Sequence, residues 1–286
     1  MGKRLARATN GQVMFIAEKR FDMKKMKIGF IGAGKMAEGI LHAIADKSSV
    51  IMAESNPARA KEMADKHAVK VVLDAKEVVK ASSIVFLSVR PQDVDAVAAD
   101  LKGMFKASQT LVSIVAGKKL ASLRKAFGAG AGLVRVMPNL ALRANAGMCA
   151  ICASPKADKA ALAAVEKILG AAGATVMLKE KDFDAVTALS GSGPAYFAYM
   201  ASAMAEGGKK LGLKADVAKL LALQTMYGTA KFLLESQMPL DPFIAGVATK
   251  GGTTAAGMEI LSPSSFKEIV AQTLAKAAGR SKELAK

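Results

Sequence analysis

The sequence predicts an α/β domain built on a doubly wound parallel sheet, followed by an all-helical domain. Three observations carry this prediction. From Lys27 onward short β-branched runs alternate with helical stretches, a pattern that suits parallel strands joined by crossover helices. A glycine-rich turn follows the first of these strands directly and opens the first helix. Beyond about residue 180 the period-two signal fades and helical spacing takes over.

The chain of 286 residues is long enough for two ordinary domains with sizeable cores. With 52% hydrophobic and 23% charged residues it is not disordered along most of its length. No apolar run approaches the length of a bilayer span, so no membrane role is expected. Two cysteines cannot staple a chain of this size, which points to a reducing, cytoplasmic compartment. The net charge of +17 suits anionic ligands without naming one.

The elements follow in order. Residues 1–27 hold eight basic and two acidic side chains, and Met14, Met23 and Met26 precede the first clean strand. Residues 1–25 read as a disordered basic tail or the product of an upstream start, in preference to an Arg-rich targeting peptide. Residues 27–31 form a buried-strand run, 32–45 a turn entering a helix, 50–53 a second strand, and 56–66 a helix opened by Asn56-Pro57. Further strands are expected at 69–73, 84–88, 110–114 and 133–137, with 148–153 and 175–178 extending the sheet around an Ala-rich helix. Helical spacing then covers 182–189, 195–211, 215–235 and 264–283, punctuated by Gly212, Pro239, Pro242 and the run 250–254. The boundary between a domain at 26–180 and one at 181–286 falls where the period changes.

Gly32-Ala-Gly34-Lys-Met-Ala37 has the G-x-G-x-x-A form of the dinucleotide fingerprint. The first glycine permits the tight turn, the second lets backbone approach a pyrophosphate, and the small third residue lets helix pack on strand. The helix N-terminus supplies free N–H groups to the phosphates. Glu54, at the end of the second strand, is placed to accept hydrogen bonds from an adenosine ribose, whereas Ser55, Asn56 and Arg59 suit a 2′-phosphate. For Arg59 and Lys61 a solvated helix face is at least as good an account. Cys149 and Cys152 lie on a strand, where positions i and i+3 face opposite sides, so they form no thiol pair. The only histidines, His42 and His67, read as packing or surface residues, and no metal is expected.

Two loops in the second half are unusual. Ser190-Gly-Ser-Gly-Pro-Ala-Tyr196 is either a tight interhelical connection or a place where a ligand or backbone comes close. Lys250-Gly-Gly-Thr-Thr-Ala-Ala-Gly257 offers free N–H groups and hydroxyls at a helix start, a cradle for a small carboxylate. Plain N-capping by a threonine is the alternative, and the double glycine favours the ligand.

Together these segments resemble the pyrroline-5-carboxylate reductase family. The likeness runs from about Met26 to the C-terminus. It is carried by Ile28-Gly-Phe-Ile-Gly-Ala-Gly-Lys-Met36, Ser88-Val-Arg-Pro91, Ile114-Val-Ala-Gly117, Arg135-Val-Met-Pro-Asn139, Asn145-Ala-Gly-Met148, Leu189-Ser-Gly-Ser-Gly-Pro-Ala-Tyr196 and Gly251-Gly-Thr-Thr254. The resemblance implies a Rossmann domain and a helical domain that interlocks with a second subunit, giving a homodimer or an assembly of dimers. It implies reduction of L-1-pyrroline-5-carboxylate to L-proline, the last step of proline synthesis, with NADPH or NADH and NADPH slightly favoured. By position, Gly32, Gly34, Lys35 and Met36 would line the pyrophosphate turn and Ser55 the adenosine end. Val89, Arg90 and Pro91 would line the cofactor cleft, with Val115 and Ala116 near the nicotinamide. Gly252 and Thr253 would offer N–H groups to the substrate carboxylate, and Thr254, the catalytic residue, would hydrogen-bond its ring nitrogen. The chain departs from the family at Arg90, where Lys is usual, and at Lys250, where Pro is usual. It departs again at Asn139-Leu-Ala141, and at Ala75 and Gly246, where Asn is frequent.

A β-hydroxyacid dehydrogenase shares the domain plan but places a catalytic lysine soon after its interdomain glycines, and here the next lysine is Lys209. A reductase of another cyclic imine fits the same motifs. A nucleic-acid-binding protein would rest on charge alone, with 5% aromatic residues to stack bases. A nucleotide-sensing protein on an inactive scaffold sits poorly with the intact Gly-Gly-Thr-Thr loop.

Overall fold

The computed structural model describes residues 26–285, together with the backbone of two short antiparallel strands, β1 (Leu5–Thr9) and β2 (Gln12–Phe15). The expectations for residues 1–25 otherwise fall outside the described residues. The chain divides into two compact units, Met1–Gly191 with Ala277–Lys286, and Ser192–Lys276.

The first unit is built on eight strands: β3 (Ile28–Ile31), β4 (Val50–Ala53), β5 (Lys70–Val72), β6 (Ile84–Leu87), β7 (Thr110–Ser113), β8 (Gly132–Met137), β9 (Gly147–Ala153) and β10 (Gly173–Met177). Their order in the sheet is β10-β9-β8-β7-β6-β3-β4-β5, so the chain reverses direction at β3 and leaves a switch point between β3 and β6. Strands β3, β4, β6 and β7 are buried throughout, as apolar runs covered on both faces must be.

Side chains alternate between two cores. Ile28, Phe30, Ile84 and Phe86 enter one, together with Ile40, Met63 and Ile168 from α1 (Lys35–His42), α2 (Pro57–His67) and α6 (Lys159–Ala171). Ile31, Val85 and Leu87 enter the other, with Val78, Leu101 and Leu123 from α3 (Ala75–Ala81), α4 (Val94–Leu101) and α5 (Leu120–Phe127). This is the doubly wound arrangement that the sequence predicts.

The sheet is not parallel throughout. Strand β9 runs antiparallel to β8, and β10 is parallel to β9. The nine residues between β8 and β9, with one short turn of 3₁₀ helix at Leu140–Ala144, are too few for a helical crossover, so the chain folds back as an antiparallel pair. Cys149 and Cys152 both lie on β9, pack into different clusters and are free, as their spacing requires. Burial pushes both thiols up to about 12.

After β10 the chain makes α7 (Phe183–Val186) and then a π-helical turn, Thr187–Gly191, where the sequence predicts one continuous helix. The side-chain hydroxyl of Ser190 is buried there with no hydrogen-bond partner within the chain. The second unit contains α8 (Gly193–Lys210), α9 (Ala215–Ser236), α10 (Leu240–Val247), α11 (Thr253–Leu261) and the start of α12 (Phe266–Leu284). Gly208 lets α8 approach α9 closely, since a Cβ there would sit 3.3 Å from the Cβ of Ala218. Helix α10 falls where the sequence offers only proline punctuation, and α11 begins at the helix start read after Gly252 without a period to mark its length. Each is only eight or nine residues long, too short to show a convincing period.

Phe30 and Phe86 face each other across the paired strands β3 and β6, with ring centroids 4.9 Å apart and both side chains fully buried. Phe86→Ala is therefore expected to lower stability by about 3–5 kcal/mol. A shift of the urea unfolding midpoint is the check, and a loss below about 1 kcal/mol would show that the site collapses around the deletion.

Candidate dinucleotide and substrate loops

The carboxyl end of β3 makes a tight turn that requires glycine at its first position. Gly32 has φ +92, and a Cβ there would lie 2.9 Å from the Ser88 carbonyl oxygen and 3.1 Å from a Val89 methyl. Its N–H donates to the Ala53 carbonyl at 2.8 Å. Ser88 Oγ donates to the Gly32 carbonyl at 2.7 Å and lies 3.0 Å from that of Ile31, tying the turn to the end of β6.

Gly34 differs. Its φ of −71 suits any residue, and a Cβ would meet nothing within 4 Å. The chain itself does not need a glycine at this position. Ala37 is fully buried, which fits the third, small position. No side chain caps α1, so the first-turn N–H groups beginning at Lys35 stay free for phosphate oxygens. The pyrophosphate of a dinucleotide fits these residues.

At the end of β4, Glu54 turns back into the glycine turn. Its Oε2 accepts from Ala33 N–H and its Oε1 from Asn56 N–H, both at 3.0 Å. Asn56 Oδ1 caps α2 by accepting from Ala58 and Arg59 N–H groups at 3.0 and 3.2 Å. Ser55 is exposed. Arg59 does not lie on a solvated face. Its Nε donates to the Ala33 carbonyl at 3.1 Å, and its terminal nitrogens pair with Glu38 and Glu62 at 2.9 and 2.7 Å. Lys61 is exposed.

Val89, Arg90 and Pro91 follow β6, and Val115 and Ala116 follow β7, so these residues share the sheet edge on which the glycine turn lies. Val115 is buried and Ala116 exposed. The Arg90 guanidinium is 75% exposed and pairs with Asp93, Nε to Oδ2, at 2.8 Å.

Gly252, Thr253 and Thr254 belong to the second unit. Gly251 has φ +75, and Gly252 is the N-cap of α11 with no side-chain cap. Threonine capping is therefore not what this loop does. The N–H of Gly252, expected to meet a substrate carboxylate, instead donates to the Thr249 carbonyl at 3.0 Å, because Gly251 turns the chain back on itself there. Thr253 and Thr254 are exposed at the helix start.

A buried ionic cluster behind the glycine turn is invisible to motif reading. Glu38 on α1, 4% exposed, pairs with Arg59, Lys66 and His67 at 2.9, 2.8 and 3.0 Å. His42, one turn on, stacks obliquely on His67, and the donor atoms of Glu38, His42 and His67 lie within 4.8 Å of one another. Such a set could hold a metal ion, but Lys66 and Arg59 already neutralise the carboxylate. The i,i+4 spacing of Glu38 and His42 is the one sequence signal for the cluster, and the partners on α2 are too distant in sequence to be read.

A doubly wound sheet whose first helix opens on such a turn is a Rossmann-type dinucleotide-binding domain. A family model for NADP oxidoreductase, coenzyme F420-dependent, matches residues 27–117, and one for pyrroline-5-carboxylate reductase dimerisation matches residues 180–284. Pyrroline-5-carboxylate reductase of Synechocystis is 38% identical over 91% of this chain and 99% of its own length. The Arabidopsis thaliana protein of that name is 35% identical over 91% and 96%. Among solved structures, the Coxiella burnetii reductase aligns with a TM-score of 0.87 at 28% identity, covering 91% of this chain and 99% of that one. The Plasmodium falciparum reductase, solved with NADP bound, aligns at 0.82 and 27% identity, covering 92% and 100%. The chain belongs to the pyrroline-5-carboxylate reductase family.

The Glu38 cluster yields a pH prediction. The Lys66 ammonium first, and then Arg59 and His67, hold the Glu38 carboxyl well below its ordinary 4.5, outweighing burial. A depressed acid stabilises the fold in full above its unfolded pKa and loses that contribution as pH falls towards the folded one. Glu38→Gln is therefore expected to cost most at neutral pH, with the gap to wild type narrowing below about pH 4.5. Urea midpoints of both proteins from pH 7 to pH 3 would test this, and a gap that stays constant would remove the assignment.

Proposed function

We propose that this chain reduces L-1-pyrroline-5-carboxylate to L-proline with NADPH or NADH, the closing step of proline biosynthesis. The observation that carries the reading is the start of α11. It has a glycine N-cap, no side-chain cap, and two exposed threonines in a family whose named reaction needs a small carboxylate held beside an imine. When bound, the reduced nicotinamide supplies the hydride that the imine carbon accepts.

The chain's own residues bind and orient. Gly32, Gly34, Lys35 and Met36 form the pyrophosphate turn, with Ser55 at the adenosine end. Val89, Arg90 and Pro91, with Val115 and Ala116, line the cofactor side of the same sheet edge. Thr253 N–H donates to the substrate carboxylate, aided by the positive end of α11, and Gly252 gives it bare backbone to approach. Thr254 orients the ring nitrogen through its hydroxyl. A protonated cyclic imine is already electrophilic, so positioning is the larger part of the task, and solvent can supply the proton. The second unit contains no histidine, which suits a mechanism without a dedicated acid there.

The second unit also supports self-association. Only Ala218 and Ala222 are buried on the 22 residues of α9, while Leu220, Tyr227 and Leu234 are at least 60% exposed. A helix apolar on nearly all sides is covered in its working state. The reading is a homodimer, or an assembly of dimers, formed through residues 181–286, with residues 26–180 binding the dinucleotide. Among the described residues no helix is long and apolar enough to cross a membrane. Two free, buried thiols suit the reducing cytoplasm.

The test is oxidation of NADPH and of NADH, in separate assays, with pyrroline-5-carboxylate as substrate. Loss of reduced-nicotinamide absorbance with proline appearing is expected, and a folded protein without turnover on either would overturn the reading. Thr254→Ala is expected to lower kcat/KM for the imine about 10-fold or more, the scale of one hydrogen bond to a charged group, with nucleotide affinity retained. Unchanged steady-state kinetics would remove the role of Thr254.

A further inference from the structure

We propose that Glu54 and Arg59 are positioning residues that hold Ala33 of the glycine turn through its N–H and its carbonyl, and that they act on the nucleotide through this turn rather than at the adenosine ribose. The inference rests on the reading of this chain as an NAD(P)H-dependent reductase.

Ala33 lies between the two glycines of the fingerprint and is fully buried. Its N–H donates to Glu54 Oε2 at 3.0 Å, and its carbonyl accepts from Arg59 Nε at 3.1 Å. A residue flanked by glycines has the least conformational restraint of its own, so an outside clamp is what fixes the turn. With Ala33 held, the direction of the free N–H groups at the start of α1 is set before any phosphate arrives, which lowers the ordering cost of binding.

The same contacts fix how both side chains are turned. Both oxygens of Glu54 already accept from backbone donors, one on each side of the end of β4. All three nitrogens of the Arg59 guanidinium have partners: Ala33, Glu38 and Glu62. Glu38 is itself anchored by Lys66 and His67, so Arg59 is held at its far end as well. Ser55 and Asn56 are exposed beside them at the end of β4, with Asn56 Oδ1 capping α2. An acid at the end of the second strand, commonly the partner of the ribose hydroxyl, serves the phosphate turn here.

The experiment measures dissociation constants of NADPH and NADH, and kcat and KM for each, in the wild type and in Glu54→Ala, Glu54→Gln, Arg59→Ala and Arg59→Lys. Glu54→Ala and Arg59→Ala are expected to weaken both nucleotides by the same factor, about 10-fold for one lost charged hydrogen bond. The NADPH/NADH ratio should stay within about 2-fold of wild type, and the loss should appear in the nucleotide KM more than in kcat. Glu54→Gln keeps an acceptor for Ala33 N–H and should recover most of the affinity. Arg59→Lys lacks the fork that spans Ala33 and Glu38 and should not. Selective loss of NADH in Glu54→Ala, or of NADPH in Arg59→Ala, would overturn the proposal, as would unchanged affinity for both. If Arg59→Ala fails to fold, because Glu38 loses a buried partner, the Glu54 pair decides the matter alone. A wild type that binds neither nucleotide would sink the reductase reading itself, whereas selective loss from a wild type that binds both would sink only the clamp.

Discussion

The contact on which the first unit depends is the approach of the Gly32 backbone to the Ser88 carbonyl, at a distance that leaves no room for a Cβ. It occurs where β3, in the middle of the sheet, meets its neighbour β6 at the switch point. Because Gly32 turns there with positive φ, the chain leaves the sheet and enters α1 within three residues. The helix N-terminus is then set beside the strand ends that also carry Val89 and Val115. Adding any side chain at Gly32 would push α1 off the sheet and take the free N–H groups with it. Gly34, by contrast, is free of such contacts, so the fold itself requires only the first of the two glycines.

Around this turn the polar groups are spent economically. Ser88 secures the strand end, Asn56 starts α2, and Glu54 with Arg59 grips Ala33. Glu38 lies behind them with three cationic or potentially cationic partners, which is what a nearly buried carboxylate needs to stay charged. Two helix starts remain bare, α1 in one unit and α11 in the other, each beginning at a glycine without a side-chain cap. The second unit keeps few of its apolar side chains covered by its own chain, and the family's dimerisation region spans it.

Much of this was legible in the residues. The runs at 28–31, 50–53, 84–87 and 110–113 are short, apolar and bounded by turn residues, so each strand is read to within a residue or two. The glycine turn is local, and its spacing alone carries the phosphate argument. The antiparallel return at β9 was not legible, because strand direction depends on the length and path of the connection rather than on the strand's own pattern. The π-helical turn at Thr187–Gly191 was hidden for a related reason, since one extra residue in a helix hardly disturbs a short hydrophobic period.

What the sequence determined by itself is whatever depends on neighbours along the chain: the alternation of strands and helices, the fingerprint turn, the Gly-Gly-Thr-Thr helix start and the family that these motifs mark. The tertiary structure decided what each polar side chain does once the elements are packed. Glu54 reads as a ribose ligand and is found gripping Ala33, 21 residues away. Arg59 reads as a surface or phosphate residue and is found facing inward. Glu38, which no motif singles out, gathers partners from a second helix. A charged side chain's role is set by which oxygen or nitrogen lies within about 3 Å of it, and chain folding brings those atoms together across sequence distances that no local pattern records.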